Sequence, residues 1–164
     1  MKAAVVMGSI SDLPVLEKAI STLKSFGVAV EGHVLSAHRT PDEAHAFATS
    51  AEQNGIEVII AAAGKAAHLA GVLAAYTTLP VIGLPIKSST MDGLDSLLST
   101  VQMPPGIPVA TVAIDGAVNA ALLAVQILSL KYTELKPKLS TYKKEMAEKV
   151  LESDKTLQKE IDLI

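Results

Sequence analysis

Short apolar segments alternate with amphipathic segments along the whole chain. Continuous runs rich in Val, Ile and Ala are typical of buried strands, and we predict strands at residues 3–7, 28–35, 57–63, 80–84 and 109–114. Between and after them apolar positions recur at helical spacing, which predicts helices at residues 13–26, 41–54, 66–76, 94–101 and 118–130. Gly27 and Gly55 stand where the first two helices should end.

Strand–helix units in succession predict a parallel sheet with helices on both of its faces. For a sheet of about five strands we predict an α/β fold, a flavodoxin-like three-layer αβα sandwich with strand order 2-1-3-4-5. This domain should occupy residues 1–131, because no second domain and no internal repeat is visible before that point.

Residues 132–164 form a helical extension of different character. From residue 139 onward the segment is highly charged, and its apolar residues lie at helical spacing: Leu139, Tyr142, Met146, Val150, Leu157 and Ile161. A helix with one apolar stripe needs a surface that buries it, either its own domain or a neighbouring subunit. We favour the neighbouring subunit, because the helix predicted at 118–130 is also apolar on nearly every face.

Composition narrows the function further. A net charge of -3, a pI near 5.8 and 3% aromatic residues argue against nucleic acid as a partner. The absence of cysteine excludes disulfides, thiolate nucleophiles and cysteine-based metal sites. No apolar run reaches the roughly 18 residues of a membrane span, so we expect no membrane association and a cytoplasmic protein.

Ligands of parallel α/β sheets bind at the carboxyl ends of the strands, so the segments after each strand are the candidates. Gly8-Ser9-Ile10-Ser11-Asp12 precedes a helix and suits a phosphate or ribose; the alternative is an ordinary helix cap at Ser11 or Asp12 with no ligand. The segment matches neither the P-loop pattern nor Gly-x-Gly-x-x-Gly. The segments at 64–71 and 85–93 add basic, hydroxyl and imidazole side chains at the same edge.

The segment Ser36-Ala37-His38-Arg39-Thr40-Pro41 carries the strongest chemistry. His38 can give and take a proton near neutral pH, and Arg39 is a permanent cation suited to phosphate or carboxylate. Thr40 and Pro41 predict a helix start with Thr40 as its cap. His38 and His68 lack a third ligand at a recognised spacing, so we predict no metal. Lys65 either reaches a ligand anion or projects into solvent.

Together these segments resemble one family. The segments are Met7-Gly8-Ser9-x-Ser11-Asp12, residues 36–41, Ala66-Ala67-His68-Leu69, residues 79–83, residues 93–99 and Val101-Gln102-Met103-Pro104. In their order and spacing, from about residue 5 to 130, they resemble the N5-carboxyaminoimidazole ribonucleotide mutase family of purine biosynthesis, the purE type. That resemblance implies a nucleotide substrate whose carboxyl group moves from N5 to C4 of the aminoimidazole ring, with no ATP, metal or organic cofactor.

The resemblance also implies roles for individual residues. His38 is expected to be the general acid and base, with His68 and Ser36 beside the imidazole and the migrating carboxyl group. Ser9, Ser11 and Arg39 are expected near the phosphate and Asp12 near the ribose hydroxyls. Gly8, Gly64, Lys65 and Ala66 complete the expected binding set. The family further implies a homo-oligomer, an octamer, and a functional link to the ATP-dependent N5-carboxyaminoimidazole ribonucleotide synthase.

The chain departs from the family pattern at two positions. The family usually has Gly-Gly-Ala-Ala-His-Leu-Pro-Gly, whereas residues 64–71 carry Lys65 in place of glycine and Ala70 in place of proline. If the replaced glycine has a positive φ, lysine is strained there or changes the loop. Two alternatives stay open. A carboxylase that takes carbon dioxide directly would share the fold and the type of site, although the retained residues 36–41 and His68 favour the mutase. An inactive relative that only binds the ligand stays open because of Lys65.

Overall fold

The computed structural model describes residues 1–89 and 91–163 and contains a five-stranded parallel sheet in the order β2-β1-β3-β4-β5. This confirms the predicted strand order. Thr90, in the predicted loop after the fourth strand, and Ile164, the last residue of the predicted extension, lie outside the described residues. The elements in chain order are β1 Lys2–Met7, α1 Leu13–Ser25, β2 Ala29–Val34, α2 Pro41–Ser50, β3 Val58–Gly64, α3 Leu69–Ala75, β4 Val81–Ile86, α4 Leu94–Val101, β5 Ala110–Thr111, α5 Ala117–Leu128 and α6 Leu135–Ile161.

The sheet is buried on both faces because β1, β3 and β4 carry almost only apolar side chains. One core lies between the sheet and helices α1 and α5, and the other lies between the sheet and helices α2 and α3. Pairing brings Met7, the last residue of β1, level with Val34 and with Ala62. The loops after β1, β2 and β3 therefore begin at the same height, along one edge of the sheet.

Several elements differ in extent from the prediction. α2 ends at Ser50 instead of residue 54, and a series of turns leads to Gly55, whose φ is +77°. β4 runs on to Ile86, two residues past its predicted end. α3 begins at Leu69 instead of residue 66, because Lys65 has a φ of 58° and the His68 amide bonds back to Ala66 O at 2.9 Å. That geometry is incompatible with an α-helical turn.

The predicted six-residue fifth strand is reduced to Ala110–Thr111. The chain keeps following β4 beyond this point, through Val112 N to Gly83 O at 3.1 Å and Asp115 N to Pro85 O at 2.9 Å. At Asp115, whose φ is 55°, the chain turns sharply towards α5.

The apolarity of α5 is accounted for mostly within the chain. Its buried residues face the sheet and α1, and they include Ala120, Ala124 and Leu128. The argument that α5 needs a neighbouring subunit is therefore weakened. No helix among residues 1–89 and 91–163 is long and apolar enough to cross a membrane.

The extension begins by folding back on its own domain. In α6 Leu135 is buried, Leu139 and Tyr142 pack against the α1–α5 core, and Lys138 Nζ donates to Phe26 O at 3.1 Å. Beyond residue 142 the helix leaves the domain, and its apolar side chains are exposed. These are Met146, Val150, Leu151, Leu157 and Ile161. Packing of the extension on a neighbouring subunit stays a prediction that concerns this outer part.

Glu57, just before β3, ties the start of the extension to the domain. Its carboxylate accepts hydrogen bonds from Lys131 Nζ at 2.6 Å and from the Tyr132 hydroxyl at 2.9 Å. Burial alone would raise the pKa of Glu57, but the hydrogen bonds from Lys131, Tyr132 and the Lys2 amide, together with the charge of Lys131, hold the pKa below its ordinary value. The contact thus depends on an ionised carboxylate.

Candidate active site

One cavity of about 640 Å³ opens at the carboxyl edge of the sheet, between the loops that follow β1 to β4. It lies beside the switch point between β1 and β3, where the strand order reverses, which is the usual ligand position in such sheets. All eleven residues predicted for the site line it: Gly8, Ser9, Ser11, Asp12, Ser36, His38, Arg39, Gly64, Lys65, Ala66 and His68. Their clustering confirms that the segments converge, whereas the role of each residue stays a prediction.

The loop after β1 is organised by its own hydroxyl groups. Ser9 Oγ accepts from Ser11 N at 3.3 Å and lies 2.8 Å from Ser11 Oγ, which closes a short 3-10 turn at Ile10–Asp12 before α1. Asp12 is the N-cap residue of α1, but its side chain makes no cap hydrogen bond. Burial raises the pKa of Asp12; the Ser11 hydroxyl opposes the shift, and the charge of Asp115 adds to it.

The loop after β2 is closed by Thr40. Thr40 is the N-cap residue of α2 and Pro41 is its first residue, as predicted, but the Thr40 hydroxyl makes no cap hydrogen bond. It instead accepts from Ser36 N at 2.9 Å and donates to Ser36 O at 3.2 Å. Arg39 reaches across to the neighbouring loop, where Nη2 donates to Gly8 O at 3.0 Å, while Nε donates to Ser36 Oγ at 3.3 Å. The guanidinium is thereby held at the cavity, next to the two serines of the first loop.

The imidazoles of His38 and His68 form a direct pair. His38 Nε2 lies 2.9 Å from His68 Nδ1, and the two rings are edge-to-face with centroids 5.0 Å apart. β2 and β3 flank β1 on opposite sides, so the pair bridges the end of the central strand. In a neutral pair one nitrogen must donate and the other accept, so a proton bound to one ring is within reach of the second.

The loop after β3 brings main chain close to the cavity. An added Cβ at Gly64 would lie 3.4 Å from Ile86 O, so this segment runs tight against β4. Lys65 follows in the left-handed conformation, and its side chain is exposed to the cavity. Ala66 is exposed and Ala67 is buried, so the wall here is formed by backbone and methyl groups.

The loop after β4 supplies residues that the sequence argument placed near the site without a role. Ile86, Lys87, Ser88 and Ser89 line the cavity, as do Ala37, Ala63 and Leu69. Lys87 N donates to Asp115 Oδ1 at 2.9 Å, which fixes this loop against the turn before α5. In the sequence, the dipeptide Asp115-Gly116 was the signal for this turn before α5, because Asp-Gly pairs are typical of sharp turns.

Known proteins of similar sequence and structure point to one enzyme family. The model of the AIR carboxylase family matches residues 2–149. The chain belongs to the AIR carboxylase family. It is 63% identical to the N5-carboxyaminoimidazole ribonucleotide mutase of Pyrococcus abyssi, over 88% of this chain and 83% of that protein. The mutase of Pyrococcus horikoshii is 60% identical over 94% of this chain and 87% of that protein.

A solved structure of the family is also similar. The crystal structure of PurE from Treponema denticola has a TM-score of 0.85 and 31% identity, over 95% of this chain and 98% of that chain. The resemblance drawn from the sequence motifs and the predicted flavodoxin-like fold are both confirmed.

The arrangement in this family member favours proton transfer beside bound anions. An imidazole pair stands over a wall of backbone, and the hydroxyl and guanidinium groups of the first two loops lie beside it. Among residues 1–89 and 91–163, no group of at least three metal-ligating side chains is placed to hold an ion.

Proposed function

We propose that the protein interconverts N5-carboxyaminoimidazole ribonucleotide and 4-carboxy-5-aminoimidazole ribonucleotide in purine biosynthesis. The hydrogen-bonded pair of His38 and His68 in a nucleotide-sized cavity carries the proposal, because this isomerisation needs one proton delivered and one removed. Both Pyrococcus relatives, at 63% and 60% identity, bear the name of that mutase.

The substrate is expected to lie with its phosphate at the first two loops. Ser9, Ser11 and Arg39 supply two hydroxyls and a guanidinium for the phosphate, and the 3-10 turn places backbone amides nearby. Asp12 is half-buried beside them and suits the ribose hydroxyls as an acceptor. The aminoimidazole then extends towards Ser36, His38 and His68, over the backbone of Gly8, Gly64 and Ala66.

The reaction then proceeds through carbon dioxide. His38 protonates N5 as the N5–carboxyl bond breaks, which leaves aminoimidazole ribonucleotide and carbon dioxide. The backbone wall of residues 64–66 holds the carbon dioxide until C4, whose nucleophilicity comes from the ring and its amino group, attacks it. The C4 proton returns to the imidazole pair, so the cycle is neutral in protons and needs no ATP, metal or organic cofactor.

Two alternatives lead to different outcomes. A carboxylase would combine aminoimidazole ribonucleotide with carbon dioxide directly, and an inactive relative would bind nucleotide without turnover. We favour the mutase over the inactive relative because His38, Arg39, Asp12 and His68 all line the cavity. We favour it over the carboxylase because of the names of the two Pyrococcus relatives.

The test is turnover of N5-carboxyaminoimidazole ribonucleotide by the purified protein, with EDTA present and without ATP. A parallel sample contains aminoimidazole ribonucleotide and bicarbonate. Rapid conversion of the first substrate with little use of the second supports the mutase. Use of the second alone assigns the carboxylase, and activity on neither refutes both enzymes.

The assembly proposed is a homo-octamer in the cytoplasm that receives its substrate from the ATP-dependent synthase. Its support is the exposed apolar stripe of α6, in which Val150 is 68% and Leu157 is 52% exposed. Leu94 and Leu98 add an exposed apolar surface on α4. Sedimentation equilibrium of the full chain tests the octamer, and a monomer would refute it.

A further inference from the structure

Three basic side chains, one arginine and two lysines, line the cavity, and they differ in the contacts that hold them. Arg39 donates to Gly8 O at 3.0 Å, and Lys87 Nζ lies 3.2 Å from Asp92 Oδ1. Within the described ranges 1–89 and 91–163, the ammonium of Lys65 makes no hydrogen bond or ion pair. Lys65 is therefore the lining cation whose charge is open to a ligand.

The backbone at Lys65 is in a conformation that its side chain disfavours. A φ of 58° is left-handed, and a Cβ there crowds the following carbonyl oxygen. No hydrogen bond or ion pair of the ammonium to any residue in the described part of the chain offsets this cost. Left-handed residues that lack a local structural reason concentrate at functional sites. For a lysine that contacts only solvent, nothing would offset the cost of the left-handed backbone, whereas for a lysine that contacts a ligand the binding free energy would offset it.

The position of Lys65 in the loop after β3 indicates which anion of the nucleotide it meets. The nucleotide carries a phosphate and a carboxylate. The phosphate is assigned above to Ser9, Ser11 and Arg39 on the first two loops. Lys65 instead belongs to the third loop, three residues before His68, whose ring bonds His38. The carboxylate must lie beside this imidazole pair, because the protons are transferred at N5 and C4, the atoms that lose and gain the carboxyl group.

We propose that Lys65 binds the carboxylate of the nucleotide and so determines specificity for the carboxylated over the decarboxylated form. The inference rests on the proposed function. Its physical basis is a charge-assisted contact that exists only while the ligand carries the carboxylate. Aminoimidazole ribonucleotide keeps the ring, ribose and phosphate but offers Lys65 no anion. It therefore provides a matched reference ligand.

The test is calorimetric titration of two nucleotides, 4-carboxy-5-aminoimidazole ribonucleotide and aminoimidazole ribonucleotide, in a His38→Asn background that suppresses turnover. Lys65→Gln keeps the Cβ and much of the length but removes the charge, and Lys65→Arg keeps the charge. We expect Lys65→Gln to weaken the carboxylated nucleotide about tenfold and the decarboxylated one less than about twofold. Lys65→Arg should recover most of the loss.

Each other outcome is decisive. Equal weakening of both nucleotides would assign Lys65 to the phosphate, and unchanged affinities would make it a solvent lysine; either overturns the inference while the proposed function stands. If the protein with Lys65 intact binds neither nucleotide, both proposals fail. Should Lys65→Gln not fold, Lys65→Gly carries the same test, since glycine adopts this φ freely.

Discussion

Gly83 in β4 is the position where one added methyl group should disturb both the packing and the site. A Cβ there would lie 2.3 Å from Thr100 Cγ2 and 2.9 Å from Val109 Cγ1, whereas non-bonded carbons prefer about 3.5–4.0 Å. Thr100 is buried, and its hydroxyl donates to Ser96 O at 2.8 Å and to Ala67 O at 3.4 Å. The Thr100 side chain cannot rotate away without losing these bonds, so α4 must shift away from the sheet. That shift would displace Ala67, the residue before His68, through its hydrogen bond to Thr100.

The expected magnitude follows from these distances. Overpacking costs about 1–3 kcal/mol, and two contacts under 3 Å, one against the buried Thr100 and one against the partly buried Val109, favour the upper half of that range. For a chain of this size, Gly83→Ala should therefore lower the melting temperature by roughly 5–10 °C. Differential scanning calorimetry and urea unfolding measure this loss directly.

Two matched variants isolate the cause. Gly32→Ala is the control, because a Cβ at Gly32 meets no heavy atom within 4 Å and its φ is not left-handed, so it should be nearly neutral. Adding Thr100→Ser to Gly83→Ala removes the clashing methyl group, keeps the hydroxyl and should recover part of the loss. The reasoning is refuted if Gly83→Ala melts within about 1 °C of Gly32→Ala, or if Thr100→Ser deepens the loss.

Three further predictions concern the site, the extension and the assembly. His38→Asn should lower turnover by about 10²–10⁴-fold and leave binding of aminoimidazole ribonucleotide intact by calorimetry, and near-normal turnover would contradict its role. Because the folded pKa of Glu57 is lowered, its stabilisation is present above the ordinary carboxyl value of 4.5 and is lost as pH falls through the folded pKa. Glu57→Gln should thus lower the free energy of unfolding, measured with urea, at pH 7 but not at low pH, whereas the exposed control Glu52→Gln should change it little at either pH. A loss of stability in Glu57→Gln that does not depend on pH would exclude this linkage. A chain ending after residue 142 should keep its fold by circular dichroism and sediment as a smaller assembly, and an unchanged mass would remove α6 from the interface.

Much of the fold was predictable because the strands are short, continuous and apolar, and parallel strands leave few arrangements open. The convergence of the site residues followed from the same rule, since all carboxyl ends lie at one edge. The contact between His38 and His68 was not predictable, because β2 and β3 are not neighbours and the rings meet only through their side-chain orientations. The predicted extent of the fifth strand, residues 109–114, was wrong because an apolar run does not reveal that regular pairing is limited to Ala110–Thr111.

Besides the hydrogen bonds within single loops, contacts between loops hold the site together. The hydrogen bond from Arg39 to Gly8 O links the loops after β2 and β1, and the pair of His38 and His68 links the loops after β2 and β3. The bond from Thr100 to Ala67 O links α4 to the loop after β3. The bond from Lys87 N to Asp115 links the loop after β4 to the turn before α5. Each link joins segments far apart in the chain, so the cavity keeps its shape only while the sheet holds its register. Loss of one link should therefore misplace one part of the ligand and leave the fold intact. Lys65 takes part in no such link to another described residue, so a substitution there should change the affinity for one chemical group of the ligand without moving the loops that bind the other groups.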